Sequence, residues 1–350
     1  MVKWLWRAAW LLVPLAAAVR HFLPGHDLVA FSLACLALVP LAHSMGNATE
    51  SLAERLGPAT GSLLNATFGN AAELIVAVVA LLHGHTDLVK GSLTGSILGN
   101  LLLVAGASIV AGGLRKRRLR FNRLAAGASV TILFLSVVAM AAPALLAALH
   151  QPSALRIRQL SVGISVVLLL MYGLSLLFQL HTHAEALAPA QETPRTLRRL
   201  SPPGAAFGKL FLAGAATAVA SEILVASLHG VTAHLPETFV GVVIVAVVGN
   251  AAEHSSAVAF GWRGDFDVAL GIPWESSKQI ALFVAPVLVF VGLVAGVPMD
   301  LAFTPFEVAA VGLAVISTAL YALDGETHWL EGAFLIAVYA VLALAFFYLR

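Results

Sequence analysis

The sequence predicts an all-α polytopic membrane protein of 11 transmembrane helices, one leading helix followed by two inverted five-helix repeats. Three observations carry this expectation. The 350 residues are 60% hydrophobic and 11% charged, against about 25% charged residues in a soluble globular domain. One water-facing core does not bury that much apolar surface, so lipid must stand in for solvent. Apolar runs of about 20 residues, the helix length that crosses a bilayer core of roughly 30 Å, recur along the chain. A stretch beginning at Gly69 is also repeated at Gly249.

The expected spans are 4–23, 27–47, 61–83, 91–113, 123–149, 158–181, 204–230, 236–260, 266–296, 303–323 and 328–349. Their apolar runs are continuous rather than alternating, which favours helices over a β-barrel. The first, "KWLWRAAWLLVPLAAAV", has the basic start and apolar run of a signal peptide. Ten further spans follow it, so a retained first helix is expected. The long polar stretch "HTHAEALAPAQETPRTLRRLSPPG" (His181–Gly204), with four prolines, reads as a cytoplasmic linker. The expected organisation is then a first helix within 1–26, a five-helix repeat over 27–181, the linker 182–203 and a second repeat over 204–350. His181 and His183 read as solvated linker residues, and Cys35 is a lone cysteine with no intrachain disulfide partner.

Orientation follows from the basic residues. Fourteen fall on the side of the N-terminus: Lys3, Arg7, Arg55, Arg115, Lys116, Arg117, Arg118, Arg120, Arg123, Arg195, Arg198, Arg199, Lys209 and Arg263. Five fall opposite, namely Arg20, Lys90, Arg156, Arg158 and Arg350, and Lys278 lies inside a span. A cytoplasmic N-terminus and an outer C-terminus are expected. The basic run at 115–123 reads as a positive-inside anchor rather than a nucleic-acid site, so the expected surroundings are the bilayer of a cell membrane.

Sliding the chain by 180 residues lays Gly69–Val104 on Gly249–Val284 without a gap. Thirteen positions are identical: the five of Gly-Asn-Ala-Ala-Glu, then Ala77, Val78, Gly84, Asp87, Gly91, Ser96, Leu102 and Val104. The repeat begins in the third span and again in the eighth. That odd offset inverts one copy across the membrane, the signature of secondary transporters whose site lies at the midplane.

In a helix, Gly69, Asn70 and Glu73 share a face, and Gly249, Asn250 and Glu253 do the same. Each copy offers a carboxylate, an amide oxygen and, where glycine loosens the helix, backbone carbonyls. These are hard oxygens, the ligands that Ca²⁺ takes in sets of about six to eight. Two ionised carboxylates cancel one divalent ion, and an empty pair in a low-dielectric site is expected to take up protons instead. Holding either one M²⁺ or two H⁺ is the thermodynamic core of an antiporter. The competing reading is a glutamate that pairs with a neighbour or snorkels. The spans that follow offer Thr94, Ser96 and Asn100 in one half and Ser276, Ser277 and Gln279 in the other, either as further ligands or as interhelical glue.

"LLNATFGNAAELI" (Leu63–Ile75), "VGNAAEH" (Val248–His254), "SSKQIALFVAP" (Ser276–Pro286) and "LLFQLHTH" (Leu176–His183) resemble the cation/proton exchanger (CAX) family of Ca²⁺/H⁺ antiporters, within the Ca²⁺/cation antiporter superfamily. The likeness also runs through "ATESLAERLG" (Ala48–Gly57), "SEILV" (Ser221–Val225), "ETFVGVVIV" (Glu237–Val245) and "FTPFEVAAV" (Phe303–Val311). It implies eleven helices as one plus five plus five, ion-binding glutamates at Glu73 and Glu253, and alternating access driven by a proton gradient. Glu222, Glu237 and Glu307 match acidic positions of the family that line cavities. They read equally as first-turn carboxylates near helix N-termini.

One segment departs from the family, which has small residues in a Gly-Ser-Ser-x-Gln pattern with x uncharged. Here the chain reads Pro273-Trp274-Glu275-Ser276-Ser277-Lys278-Gln279. Glu275 and Lys278 are three apart and are expected to neutralise each other, and Pro273 is expected to break or kink the helix just before them. Lys278 either replaces an exchangeable cation or forms a local salt bridge facing away from the site. His254 is a candidate proton relay or an interhelical hydrogen-bonding group. Asp87 and Asp267 repeat at helix boundaries and read as caps.

The expected function is export of Ca²⁺, or a related divalent such as Mn²⁺, in exchange for H⁺, with no cofactor and no enzymatic activity. Na⁺ coupling, and a selectivity altered by Glu275 and Lys278, stand as alternatives. An intramembrane metal-dependent hydrolase is disfavoured: there is no H-E-x-x-H motif, and Leu74 stands where a twin of His254 would be. An ion channel is compatible with the repeat, but paired exchangeable carboxylates favour stoichiometric exchange.

Overall fold

The computed structural model describes residues 10–56, 64, 67–150, 153–183 and 202–349. The starts of the first and third expected spans and linker residues 184–201 lie outside the described residues. So do the cations Lys3, Arg7, Arg195, Arg198, Arg199 and Arg350.

Helices dominate the chain. In order they are α1 (Leu12–Phe22), α2 (Asp27–Leu56), α3 (Ala71–Leu82), α4 (Thr86–Leu98), α5 (Ala105–Gly113), α6 (Arg123–His150), α7 (Ala154–Leu177), α8 (Pro203–Ala226) and α9 (Leu228–Thr232). There follow α10 (Glu237–Phe239), α11 (Ala246–Gly249), α12 (Ala251–Arg263), α13 (Phe266–Gln279), α14 (Ala285–Ala295), α15 (Pro305–Ala322) and α16 (Trp329–Tyr348). Wider π-helical turns join α4 to α5 (Gly99–Val104), α10 to α11 (Val240–Val245) and α13 to α14 (Ile280–Val284), and one closes α7 (Phe178–Thr182). Two short strands, β1 (Leu119–Arg120) and β2 (Glu326–Thr327), pair antiparallel with Leu119 opposite Thr327.

Among the described residues eight helices are long and apolar enough to cross a membrane, nine if the pair broken at Asn250 counts as one. The shorter apolar helices α1 and α3 fall in the first and third expected spans. The architecture is that of a polytopic helical membrane protein.

Pro273 does not break its helix: α13 runs through it, as α2 runs through Pro40 and α6 through Pro143. In an apolar medium the rest of the helical ladder outweighs the one hydrogen bond that proline removes. The departures from α geometry come elsewhere, and they come twice. Asn70 (φ −99°, ψ 29°) ends a break before α3, and Asn250 (φ −89°, ψ 3°) marks one before α12. The π turns at Gly99–Val104 and Ile280–Val284 end 180 residues apart, the same offset as the sequence repeat. Both copies of the repeat therefore place an asparagine at a helix break and a π turn in the next helix.

The chain divides into two compact units, and neither coincides with a sequence half. One comprises residues 1–92, 199–252 and 346–350, the other 93–198 and 253–345. In the first, Met45 of α2 packs with Ala71 and Ala72 of α3 and Ala213 of α8, with Ile75 and Leu210 at the edge of this core. Thr217 donates to the Met45 sulfur at 3.5 Å, tying α8 to α2. The start of α4 and the π turn after α10 cross glycine to glycine. A Cβ at Gly91 would lie 2.9 Å from the Thr238 carbonyl oxygen, and one at Gly241 2.7 Å from that of Leu88. Such approaches replace hydrophobic driving force, which lipid removes, with close van der Waals contact.

In the second unit the same device joins α5 to α16, where a Cβ at Gly106 would fall 2.7 Å from the Gly332 carbonyl oxygen. Trp274 of α13 donates to the Tyr321 hydroxyl of α15 at 3.2 Å, and Phe121 meets Trp274 edge-on with centroids 5.7 Å apart. The cap of α13 is Asp265, whose carboxylate accepts from the Val268 amide at 3.5 Å. Asp267, the expected cap, lies one residue inside the helix, and its carboxylate takes the Asn122 amide at 2.6 Å instead.

Candidate ion-binding site

The first unit holds Gly69, Asn70, Glu73, Glu222, Glu237, Gly249 and Asn250. Asn70, 3% exposed, ends the break before α3, and Glu73 follows in the first turn of that helix. There the unpaired amides and the helix dipole favour negative charge. Gly249 lies against this carboxylate: a Cβ on it would sit 3.4 Å from Glu73 Cγ and 3.6 Å from its Oε1. The two glycine-glutamate motifs therefore meet inside this unit, glycine of the second copy against glutamate of the first. Asn250 is fully buried, and its amide donates to the Ala246 carbonyl at 2.9 Å, which holds its carbonyl group in a fixed direction at the helix break.

The three further glutamates separate. Glu237 opens α10 behind Pro236 and meets His85 Nδ1 at 3.1 Å. Glu222 lies four residues before the end of α8, so the expected N-terminal position does not hold for it; its Oε2 meets His83 Nε2 at 3.3 Å. Neither histidine has a sequence signature beyond the "HGH" turn at 83–85. Glu307 belongs to the second unit and is 2% exposed. It completes a capping box with Thr304, accepting from that residue's amide and hydroxyl at 2.9 Å each, and takes a third donor, the Thr94 hydroxyl, at 3.2 Å. The first-turn reading is thus right for Glu237 and Glu307.

The second unit gathers Ser96, Asn100, Glu253, His254, Glu275, Ser276, Ser277, Lys278 and Gln279. Glu253 is in the first turn of α12 and shares a hydrogen bond with Ser276 of α13. Asn100, in the π turn after α4, donates to the Ser276 hydroxyl oxygen at 3.0 Å. Carboxylate, hydroxyl and amide thus form one chain across three helices. Beyond it, Glu253 Oε2, Asn100 Oδ1 and Ser277 Oγ are buried with no hydrogen-bond partner. A buried polar atom left unpaired costs about 1–3 kcal/mol, more when charged. Three oxygens in that condition suit a cation or protons far better than an apolar neighbour. Ser96 is buried and Gln279 partly so. His254 Nε2 is buried without a partner, and its ring edge lies beside Gly99, where a Cβ would be 3.9 Å from Cε1.

Lys278 and Glu275 pair as expected, ammonium to Oε1, with Lys278 3% exposed. Gln179, in the π turn closing α7, donates to both Glu275 oxygens at 3.4 Å. Nothing in the local sequence pattern joins Gln179 to this pair, because 96 residues separate it from Glu275.

Among the described residues no group of three or more His, Cys, Asp and Glu is placed to hold a metal ion. A cation held in either unit therefore draws on amide, hydroxyl and backbone oxygens beside its carboxylate.

Comparison with known proteins places the chain in a family. The family model for sodium/calcium exchanger protein matches residues 26–181 and 205–348. A Ca²⁺/H⁺ antiporter of Synechocystis is 44% identical, with 96% of this chain and 95% of the relative covered. The Ca²⁺/H⁺ antiporter ChaA of Bacillus subtilis is 42% identical, with 92% of each covered. The structure of native YfkE superposes with a TM-score of 0.83 at 39% identity, over 96% of this chain and 97% of that one. The H⁺/Ca²⁺ exchanger CAX shares the fold, at a TM-score of 0.69 and 15% identity, over 99% and 92% of the two chains. The chain belongs to the sodium/calcium exchanger protein family.

Proposed function

We propose that the protein is a secondary active cation/proton antiporter that exports Ca²⁺, or a related divalent such as Mn²⁺, in exchange for H⁺. The observation that carries this is the set of buried oxygens Glu253 Oε2, Asn100 Oδ1 and Ser277 Oγ, held in place by the chain from Asn100 through Ser276 to Glu253. The second carboxylate is Glu73, with Asn70, Gly69, Gly249 and Asn250 supplying amide and backbone oxygens. Hard oxygens of this kind suit Ca²⁺, and two carboxylates balance either one divalent ion or two protons. Relatives at 44% and 42% identity carry the name Ca²⁺/H⁺ antiporter, which supports the same reading.

In this reading eleven spans form one helix plus two inverted repeats, with the N-terminus in the cytoplasm and the C-terminus outside a cell membrane. Helix breaks at Asn70 and Asn250 and matched π turns support the repeat. The protein acts as a transporter without a cofactor, not as a hydrolase or channel. Ser96, Gln279, His254, Glu222, Glu237 and Glu307 support or gate the ion path.

Everted membrane vesicles test this directly. Radiolabelled Ca²⁺ should accumulate when a pH gradient is imposed and stop when the gradient is dissipated. Uptake that follows a Na⁺ gradient would establish Na⁺ coupling, and uptake indifferent to both gradients would refute the antiporter.

A further inference from the structure

Resting on that antiporter reading, we propose that Glu275 and Gln179 form a second cation-binding station, on the cytoplasmic approach to the site, which the tethered ammonium of Lys278 occupies until a divalent ion displaces it. Glu275 is the tenth residue of α13. At about 1.5 Å per residue it lies roughly 13 Å along that helix. Its side chain is nonetheless 45% exposed, while that of Lys278 is 4% exposed. An ionised carboxylate at that depth does not face hydrocarbon; it faces a water-filled recess or the interior of a bundle. Exposure settles which: the carboxylate opens onto water, and the lysine lies behind it.

The Gln179 amide spans both carboxylate oxygens at 3.4 Å, long enough to be a loose clamp rather than a strong bond. Rotation of that amide presents its oxygen to an incoming cation. The station and the site share one helix. Successive side chains turn by about 100°, so Ser276, which holds Glu253, flanks Glu275, and Ser277 points away from it. The repeat puts Gly95 and Leu98 where the second half has Glu275 and Lys278. The other half therefore has no equivalent pair, and the station serves one side of the membrane only.

Selectivity follows from the tether. The linked ammonium competes at the high effective concentration that linkage gives. A free monovalent ion carries the same charge and gains nothing by replacing it. A divalent ion doubles the attraction to Glu275 and displaces it. Lys278 thus sets a threshold that favours divalent over monovalent cations and raises the Ca²⁺ concentration needed for loading.

The test uses full-length protein in everted vesicles, with radiolabelled Ca²⁺ uptake driven by a pH gradient. Lys278→Met should lower the KM for Ca²⁺ about fivefold or more and make uptake sensitive to K⁺ on the loading side. Glu275→Gln should raise KM, and the double variant Lys278→Met/Glu275→Gln should match Glu275→Gln. Glu275→Gln strands the buried charge of Lys278, so if it does not fold, the double variant, which carries no unpaired buried charge, must show the raised KM in its place. Variants that fold with wild-type KM and wild-type K⁺ sensitivity would overturn the station while leaving the antiporter standing. Wild-type vesicles without gradient-driven uptake would refute the antiporter itself.

Discussion

Asn100→Ala tests the geometry of the site through one side chain. Asn100 is 1% exposed, donates to Ser276 at 3.0 Å and keeps its own oxygen buried and unpaired. Alanine removes the amide that orients Ser276, and Ser276 is the group that holds Glu253. It also removes one candidate ligand oxygen. Losing a buried hydrogen bond and leaving its partner unsatisfied costs about 1–3 kcal/mol. If that cost falls on the ion-bound state, the KM for Ca²⁺ rises by about 5- to 150-fold. Gradient-driven Ca²⁺ uptake gives KM, and thermal unfolding in detergent shows whether the fold survives. A folded Asn100→Ala protein with KM within about twofold of wild type would refute the role of the Asn100–Ser276–Glu253 chain, because less than about 0.5 kcal/mol would then pass through it.

Two further substitutions probe the scaffold. Gly241→Ala places a Cβ 2.7 Å from the Leu88 carbonyl oxygen and 3.0 Å from the Ser92 amide, both backbone atoms with little room to yield. It should cost about 1–3 kcal/mol, read as a lower melting temperature in detergent; an unchanged melting temperature would deny the glycine crossing. Thr304→Val deletes the hydroxyl that caps α15 and donates to the buried Glu307. A lost cap costs about 0.5–2 kcal/mol, so a small destabilisation is expected with Thr304→Ser near wild type, and equal loss in both variants would assign the effect to packing.

Much of this was legible in residues 69–104 and 249–284. Continuous apolar runs announced the helices, and the shared Gly-Asn-Ala-Ala-Glu marked the carboxylates and helix breaks together, because glycine and asparagine loosen the helix where the glutamate needs donors. The pairing of Glu275 with Lys278 followed from spacing alone. What stayed hidden was long-range. Gln179 reaches Glu275 across 96 residues, and His83 and His85 reach Glu222 and Glu237 from the turn between α3 and α4. Local rules misled at Pro273 as to a break, because α13 runs through the proline with one hydrogen bond fewer. They misled again at Asp267, where a tertiary hydrogen bond to Asn122 took the carboxylate and Asp265 became the cap. Compact units drawn from both halves of the chain were equally beyond reach, since repeats in sequence say nothing of which helices bundle.

In the proposed exchange, one divalent ion and protons exclude each other at the carboxylates of Glu73 and Glu253. Titrating Ca²⁺ into purified protein while following proton release measures that exclusion. Thermodynamic linkage then requires about two protons released per Ca²⁺ at acid pH, falling towards none as the pH rises. Release should drop in Glu73→Gln and in Glu253→Gln. Ca²⁺ binding that is independent of pH and releases no protons would contradict the account.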